Sequence, residues 1–150
     1  MGNKPGYLST ILRNKCPRCR EGNLFEVSNA YHLKANKYMR MHDKCPVCGQ
    51  KTELEVGFYY GTGYVSYTLT VAISVATFVA WWVILGFSIK DNSIFYWLGF
   101  NTFLLIVIMP LLMRLSRTLW LSWFVKYESD WKSKAAKEPE RTVEGQMNNW

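Results

Sequence analysis

The chain has 150 residues, of which 18 are Lys or Arg and 11 are Asp or Glu, so its formal net charge is +7. Its mean hydropathy of -0.07 is that of a soluble protein, although 49% of its residues are apolar. Apolar residues must therefore be concentrated in part of the chain, and residues 56–89 and 92–113 indeed carry no charge. Each stretch can cross a bilayer core of about 30 Å, which excludes an ordinary soluble domain. We expect no secretory signal peptide, because the first 40 residues contain no apolar run.

Residues 1–63 are predicted to form a small head that is held together by a metal ion. The segment carries ten Lys or Arg against five acids and has too few apolar residues for a self-sufficient core. All four cysteines lie in two pairs with the spacing C-x2-C-x25-C-x2-C, namely Cys16, Cys19, Cys45 and Cys48. Four thiolates at about 2.3 Å suit tetrahedral Zn²⁺, and a ligation free energy of order 10 kcal/mol can fold so small a chain. We therefore predict a zinc-ribbon-like domain of β-structure and loops with these four ligands.

Other interpretations of the cysteine pairs stay open. Disulfides are disfavoured in the reducing cytoplasm, where we place the head, and a catalytic CxxC pair lacks the strand-helix pattern of thioredoxin-like proteins. Iron also suits four thiolates, but zinc is the preferred ion. His32 and His42 are interpreted as surface residues, because four thiolates already complete a tetrahedral site. Gly22 and Gly49 are expected to provide the backbone freedom that such turns require.

Residues 64–113 are predicted to form a transmembrane helical hairpin with spans at about 64–89 and 94–113. The short link at residues 90–93 forces the two helices to be antiparallel. Neither span contains Asp, Glu, Lys, Arg or His, so we expect no proton relay or ion pathway. Ten basic residues precede the spans, seven follow and one lies in the link, which predicts that both termini are cytoplasmic. Ala72, Ala76 and Ala80 form a small-residue face that packs either within the hairpin or on a partner.

The remainder is predicted to lie at and beyond the membrane surface. Residues 114–131 read as an amphipathic interfacial helix, because Trp120, Trp123 and Phe124 begin a series of aromatic residues at helical spacing. Arg114 and Arg117 at its start are predicted to bind lipid headgroups. Residues 132–150 mix charges without periodicity, so we expect a flexible polar tail unless a partner orders it.

Three segments together resemble the bacterial family catalogued as domain of unknown function 983 (DUF983). They are residues 16–25 with the first cysteine pair, residues 45–49 with the second, and the aromatic stretch from Glu55 to Tyr67. The resemblance covers about residues 11–127. It implies a small protein of the bacterial inner membrane with a ribbon-like head, two spans and no assigned activity. It also implies an association with haem-copper oxidase subunits and their assembly factors, beside which relatives look to be encoded.

We expect a non-enzymatic inner-membrane adaptor, accessory subunit or assembly factor that contacts the lipid bilayer and other membrane protein subunits, with no small-molecule substrate. Aromatic side chains concentrate contact energy, so the expected contact surface comprises Phe58, Tyr59, Tyr60, Tyr64, Trp120, Trp123 and Phe124. A plain interfacial aromatic belt explains these residues equally well. An alternative is a thiol-redox or metal-transfer factor that uses the cysteine pairs. A membrane-tethered nucleic-acid binder is the second alternative, but the membrane topology already explains the basic charge.

Overall fold

The computed structural model describes residues 6–32, 34–86 and 92–136. Its helices are α1 (Tyr7–Leu12), α2 (Thr62–Leu85) and α3 (Ser93–Phe124), with 3-10 turns at Lys34–Met39 and Phe58–Gly61. The predicted end of the first span at residues 87–89, the link residues Lys90 and Asp91, and the tail beyond residue 136 lie outside the described residues.

Helices α2 and α3 pack side by side, and both are long and apolar enough to span a membrane, which indicates a membrane protein. At 1.5 Å per residue, the 24 residues of α2 measure about 36 Å and the 32 residues of α3 about 48 Å. The ring of Phe78 packs on Trp97, while Gly61, just before α2, lies against Trp120. The two helices are therefore antiparallel, as the hairpin prediction requires, and α3 extends several residues beyond the start of α2.

A polar contact lies between the two helices in the middle of the hairpin. The buried side chain of Asn101 accepts a hydrogen bond from the Thr77 hydroxyl at 3.0 Å and donates one to Ser74 Oγ at 3.2 Å. Such a contact fixes the register of two apolar helices, since sliding them would leave an amide unpaired. The predicted small-residue face does not pack within the hairpin, because its three alanines are exposed.

The separate surface helix predicted over residues 114–131 is corrected by the structure. Helix α3 continues without interruption to Phe124, and residues 125–136 are not helical. Pro110 lies inside α3 but removes only the one backbone donor that would serve the carbonyl of Ile106. No further Pro or Gly follows before Phe124 to end the helix. The helical spacing of the aromatic residues instead places Leu121 and its neighbours against the head.

The head contains no strand among its described residues, so the predicted β-structure of a ribbon is reduced to isolated pairings. Three antiparallel bridges join Lys15 to Asn23, Phe25 to Met41, and Lys44 to Lys51. Two of the three bridges close the tight turns that carry the cysteine pairs. The chain leaves each pairing after a single residue pair, which is too short to build a sheet.

The hydrophobic core of the head is completed by the end of α3. Leu24, Phe25, Met41, Phe58 and Tyr59 from the head pack with Leu121 and Val125. Residues 1–63 therefore do not form a self-contained unit, because part of their core comes from more than 50 residues away in the sequence. The observation agrees with the small number of apolar residues in this segment.

Arginine side chains of α3 hold the head in place. Arg114 is only 2% exposed and donates hydrogen bonds of 2.7–3.0 Å to the backbone oxygens of Tyr38, Ser28 and Asn29. Arg117 donates to another head carbonyl at 2.9 Å. The prediction that Arg114 binds lipid headgroups is therefore wrong, because its fork of N–H groups is already satisfied by the head. Arg117 is likewise turned toward the head.

Candidate metal centre

The first cysteine pair lies in a tight turn that follows α1. The backbone amide of Cys16 donates to the carbonyl of Gly22 at 2.8 Å, and the amide of Arg20 donates to the carbonyl of Cys16 at 2.8 Å. The amide of Gly22 also points at the sulfur of Cys19, at 3.5 Å. An N–H group directed at sulfur stabilises the thiolate, which is the form that binds a metal.

The second pair repeats this arrangement. The amide of Cys45 donates to the carbonyl of Gln50 at 2.8 Å, and the amide of Gly49 donates to the carbonyl of Cys45 at 2.9 Å. Gly49 has a left-handed backbone with φ of 69°, so the expected need for glycine at this position is confirmed. The two C-P-x-C segments thus fold into similar turns, of which the first is one residue longer, since the amide of Cys16 bonds to Gly22 and that of Cys45 to Gln50.

Gly22 serves the site for a different reason than expected. Its backbone is not left-handed, but a Cβ atom at this position would collide with the sulfur of Cys45. Arg20 takes the left-handed conformation in the first turn, with φ of 62°. Gly22 is therefore required for space, and Arg20 stands where the second turn has Gly49.

The four cysteine sulfur atoms form one compact group and all lie within 4.8 Å of one another. The Sγ atoms of Cys16 and Cys48 are 3.7 Å apart, and those of Cys19 and Cys45 are 3.8 Å apart. A tetrahedral site with bonds of about 2.3 Å has sulfur–sulfur edges of about 3.8 Å. A disulfide would need about 2.05 Å, and all four cysteines are free. The group can hold one metal ion, and no His, Asp or Glu among the described residues joins it.

The close approach of the sulfur atoms shifts the pKa values of the cysteines in opposite directions. The pKa of Cys16 is raised mainly by its hydrogen bonds with Cys19 and Cys45 and, to a smaller extent, by burial. The pKa of Cys19 is lowered by its hydrogen bonds with Cys16 and Cys45. Burial raises the pKa of Cys48 to about 11. A divalent cation at the centre supplies the charge that would keep all four sulfurs ionised.

Arg18, between the first two ligands, ties the metal centre to the segment after α3. Its buried guanidinium donates to Glu128 Oε2 at 2.8 Å and to the carbonyl oxygens of Cys48, Lys134 and Ala135 at 2.8–3.3 Å. Burial acts to lower the pKa of Arg18, but the hydrogen bond and charge of Glu128 outweigh it, so the pKa is raised. The charged arginine therefore fastens residues 125–136 around the cysteine turns.

The aromatic residues expected to form a contact surface divide into two sets. The first is part of the core or half-buried and comprises Phe58, Tyr59 and Trp120, whose Nε1 donates to the carbonyl of Phe58 at 2.8 Å. The contact-surface prediction is wrong for these three, because they hold the head against α3. The second set is exposed and comprises Tyr60 (74%), Tyr64 (80%), Trp123 (56%) and Phe124 (55%).

Sequence reasoning missed Arg18 and Asn101 and assigned Arg114 the wrong role. Asn101 carried a usable signal, since it is a strong hydrogen-bonding side chain within an apolar span. Arg18 and Arg114 carried none, because Arg18 pairs with a glutamate 110 positions away, Glu128, and both arginines bind backbone carbonyls that no sequence pattern reveals. His32 and His42, expected at the surface, are exposed and half-buried, respectively, and neither belongs to the cysteine group.

The chain also matches the model of a protein family. Residues 35–124, more than half of the chain, match the model of a family described as a protein of unknown function, DUF983. The match includes Cys45, Cys48 and both long helices, while the first cysteine pair precedes it. No curated protein and no solved structure matches the chain.

Proposed function

The chain belongs to the DUF983 family, and we propose that it is a non-enzymatic membrane adaptor whose head is folded by a structural zinc ion. It acts as an accessory subunit or assembly factor that contacts another membrane protein subunit in the bacterial inner membrane. The observation that carries the proposal is the closed set of four sulfur atoms at tetrahedral spacing. A catalytic zinc site keeps one position open for water or substrate, whereas four protein ligands leave none.

The choice of zinc and of a structural role is supported by the surroundings of the sulfur atoms. Cys16, Cys19 and Cys45 are buried, and Arg18 and the segment after α3 enclose the turns. Iron is the alternative ion for four thiolates. Buried ligands held by backbone amides exchange slowly with solvent, which suits a permanent ion better than one in transit.

Metal analysis of the purified protein tests this assignment. Wild type should contain one zinc per chain, Cys45→Ser should contain none, and its head should unfold, because the ligation energy is lost. Val47→Ser is the matched control, since Val47 lies in the same turn with an exposed side chain. Unchanged zinc in Cys45→Ser, or iron in wild type, would refute the corresponding part of the assignment.

The adaptor role rests on how firmly the head is fixed to α3. Arg114, Arg117 and Trp120 each bond to a head carbonyl, so the head cannot swing freely on a linker. The exposed rings of Tyr60, Tyr64, Trp123 and Phe124 lie at this junction. A rigid head with exposed aromatic residues beside the membrane suits contact with another membrane subunit.

Photo-crosslinking from a probe amino acid tests the contact. A probe at Tyr64 should give one defined protein adduct in native membranes, whereas a probe at Val47, exposed on the second cysteine turn, should give none. Lipid adducts alone at Tyr64 would instead identify the aromatic residues as an interfacial belt and would count against the adaptor role.

A second candidate, thiol exchange or metal transfer, is favoured by one observation: Cys48 is only half-buried. Alkylation of the native protein separates the two functions. Rapid labelling of Cys48 without chelator would support transfer or redox chemistry, while protection until a chelator is added would support the structural ion.

The positive charge flanking the spans supports a cytoplasmic head with both termini inside. Reporter fusions at the C-terminus test this orientation, because alkaline phosphatase is active only outside the cytoplasm. An active fusion would overturn it.

A further inference from the structure

One loop of the head, residues 27–32, reaches along α3 toward the membrane-spanning part of that helix. The hydroxyl of Tyr31 donates a hydrogen bond to the backbone oxygen of Val107 at 3.0 Å. Two residues before Tyr31, the carbonyl of Asn29 accepts a hydrogen bond from Arg114 at 3.0 Å. This segment, which we call the Tyr31 loop, therefore contacts α3 at two positions that are seven residues, or about 10 Å, apart along the helix axis.

The position of Val107 within α3 places it inside the hydrocarbon core of a bilayer. A core of about 30 Å takes about 20 residues of helix, so a span that begins at Ser93 ends at about residue 112. Even a short span of about 17 residues from Ser93 includes Val107. Shifting the core away from the head, so that Val107 lies outside it, would draw the charges of Lys90 and Asp91 into it. The carbonyl of Val107 therefore lies about 9 Å inside the edge of the core that faces the head.

The Tyr31 loop has the composition and the backbone pairing of a segment that enters a lipid layer. Residues 27–32 contain no Asp, Glu, Lys or Arg, although residues 1–63 contain ten basic and five acidic residues. Part of the loop backbone is paired within the loop, since the amides of Tyr31 and His32 donate to the side-chain and backbone oxygens of Asn29 at 2.9 and 3.4 Å. Lipid disfavours segments with unpaired backbone groups, so this pairing lowers the cost of placing the loop there.

The side chain of Tyr31 is suited to the same layer. Its ring is 47% exposed, while its hydroxyl is paired with the Val107 carbonyl. In water a phenol hydroxyl does not need a protein partner, whereas in hydrocarbon it does. Val107 is itself 42% exposed, so the contact lies on a surface of α3 that the protein leaves open to lipid.

We propose that the Tyr31 loop is a lipid-contacting element of the head, and that the ring of Tyr31 inserts among the acyl chains of the leaflet beside the head. Arg114 holds the loop close to the headgroup level, and Tyr31 sets how deeply it enters the leaflet. The head is thereby seated on the bilayer in one orientation. The proposal rests on α2 and α3 spanning a membrane and is independent of the adaptor role.

Photo-crosslinking of the full-length protein in vesicles of phosphatidylethanolamine and phosphatidylglycerol tests the proposal. A benzoylphenylalanine probe at Tyr31 should give lipid adducts that fragmentation maps to the acyl chain. Tyr7 is the matched control, because it is similarly exposed (45%) and its hydroxyl lies 2.9 Å from Ser122 Oγ of α3. Ser122 lies 15 residues beyond Val107, about 22 Å along the axis and outside the core, so a probe at Tyr7 should give no acyl adduct.

Fluorine NMR keeps the proposal testable if the larger probe displaces the loop, since 3-fluorotyrosine retains the hydroxyl group. The fluorinated residue is incorporated at one position at a time. Its resonance at Tyr31 should be broadened more by a lipid with a nitroxide on its acyl chain than by a water-soluble gadolinium chelate. The resonance at Tyr7 should show the reverse.

The two measurements define the outcomes that would overturn the proposal. Acyl adducts in equal yield at Tyr31 and Tyr7 would do so, as would broadening of the Tyr31 resonance mainly by the gadolinium chelate. Adducts at Tyr31 confined to lipid headgroups would overturn the insertion of the ring. An adduct with a second copy of the chain would overturn lipid as the occupant. The vesicles contain no partner subunit, so none of these results bears on the adaptor test at Tyr64.

Discussion

Replacing Arg114 by lysine separates a head-docking role from a lipid-binding role, because the substitution keeps the positive charge and removes the planar fork. Arg114 uses Nε, Nη1 and Nη2 to reach three different carbonyls, and a single ammonium group cannot occupy all three positions. Hydrogen bonds with a charged donor contribute about 1.5–3 kcal/mol each. If two are lost and water replaces them in part, Arg114→Lys should reduce the free energy of unfolding by about 3 kcal/mol.

The measurement is equilibrium unfolding of the metal-loaded protein in detergent, followed by tryptophan fluorescence. Amide hydrogen exchange should increase at the docked segments, around residues 28–29 and 38. Arg40→Lys is the matched control, because Arg40 is an exposed arginine in a surface ion pair with Glu26 at 3.1 Å, and its loss should cost at most about 1 kcal/mol. If Arg114→Lys had the stability and the hydrogen exchange of wild type, the docking role would be refuted and a role of Arg114 at the lipid interface would be supported.

Three further predictions follow from the site and the hairpin. Gly22→Ala should weaken metal binding at least about tenfold, because the added Cβ would push a sulfur atom out of place. Gly63→Ala is the control and should leave metal binding unchanged, because the added Cβ would lie in open space. Equal metal affinities of the two variants in a chelator competition would contradict this prediction. Because burial raises the pKa of Cys48 from 9.0 to about 11, an ion must displace its proton at any pH below about 11, so metal affinity should fall steadily as the pH is lowered, including between about pH 8 and about pH 6. The stability of the metal-free head has the opposite dependence on pH. The raised pKa of Cys48 stabilises the folded head below pH 9.0, and this contribution is lost as the pH rises through about 11. A metal affinity that does not change with pH would be inconsistent with this linkage. Asn101→Leu should destabilise the hairpin by about 0.6–2 kcal/mol in a steric-trapping assay, with the exposed Thr102→Val as a neutral control; no difference between the two would exclude a register role for the amide.

The sequence predicted the cysteine cluster well because much of its information is local. Each cysteine pair folds into a turn through hydrogen bonds within about six residues, and the packing of the two turns brings the four sulfurs together. The family resemblance was predicted from the same turns and from the aromatic stretch before α2, and a family model matches residues 35–124. The need for Gly49 was likewise a local property of its turn.

The end of α3 was predicted less well because its surroundings are not local. Helical spacing gave the helix at residues 114–124, but the same spacing fits a membrane surface or a protein core equally, and only the contacts of Trp120 and Leu121 identify the core. Arg114 next to an apolar span has the sequence signature of a headgroup ligand. The signature gives no sign of the carbonyls that the arginine reaches more than 70 residues away.

By itself the sequence determined the four cysteines of the candidate metal centre and the two membrane-length helices, since tight turns and apolar length are properties of short contiguous segments. Only the tertiary structure decided that α3 completes the core of the head and that Arg18 ties the segment after α3 to the cysteine turns. These features depend on backbone carbonyls and side chains that meet across more than 60 residues, where directed hydrogen bonds and packing, rather than composition or periodicity, select the partners.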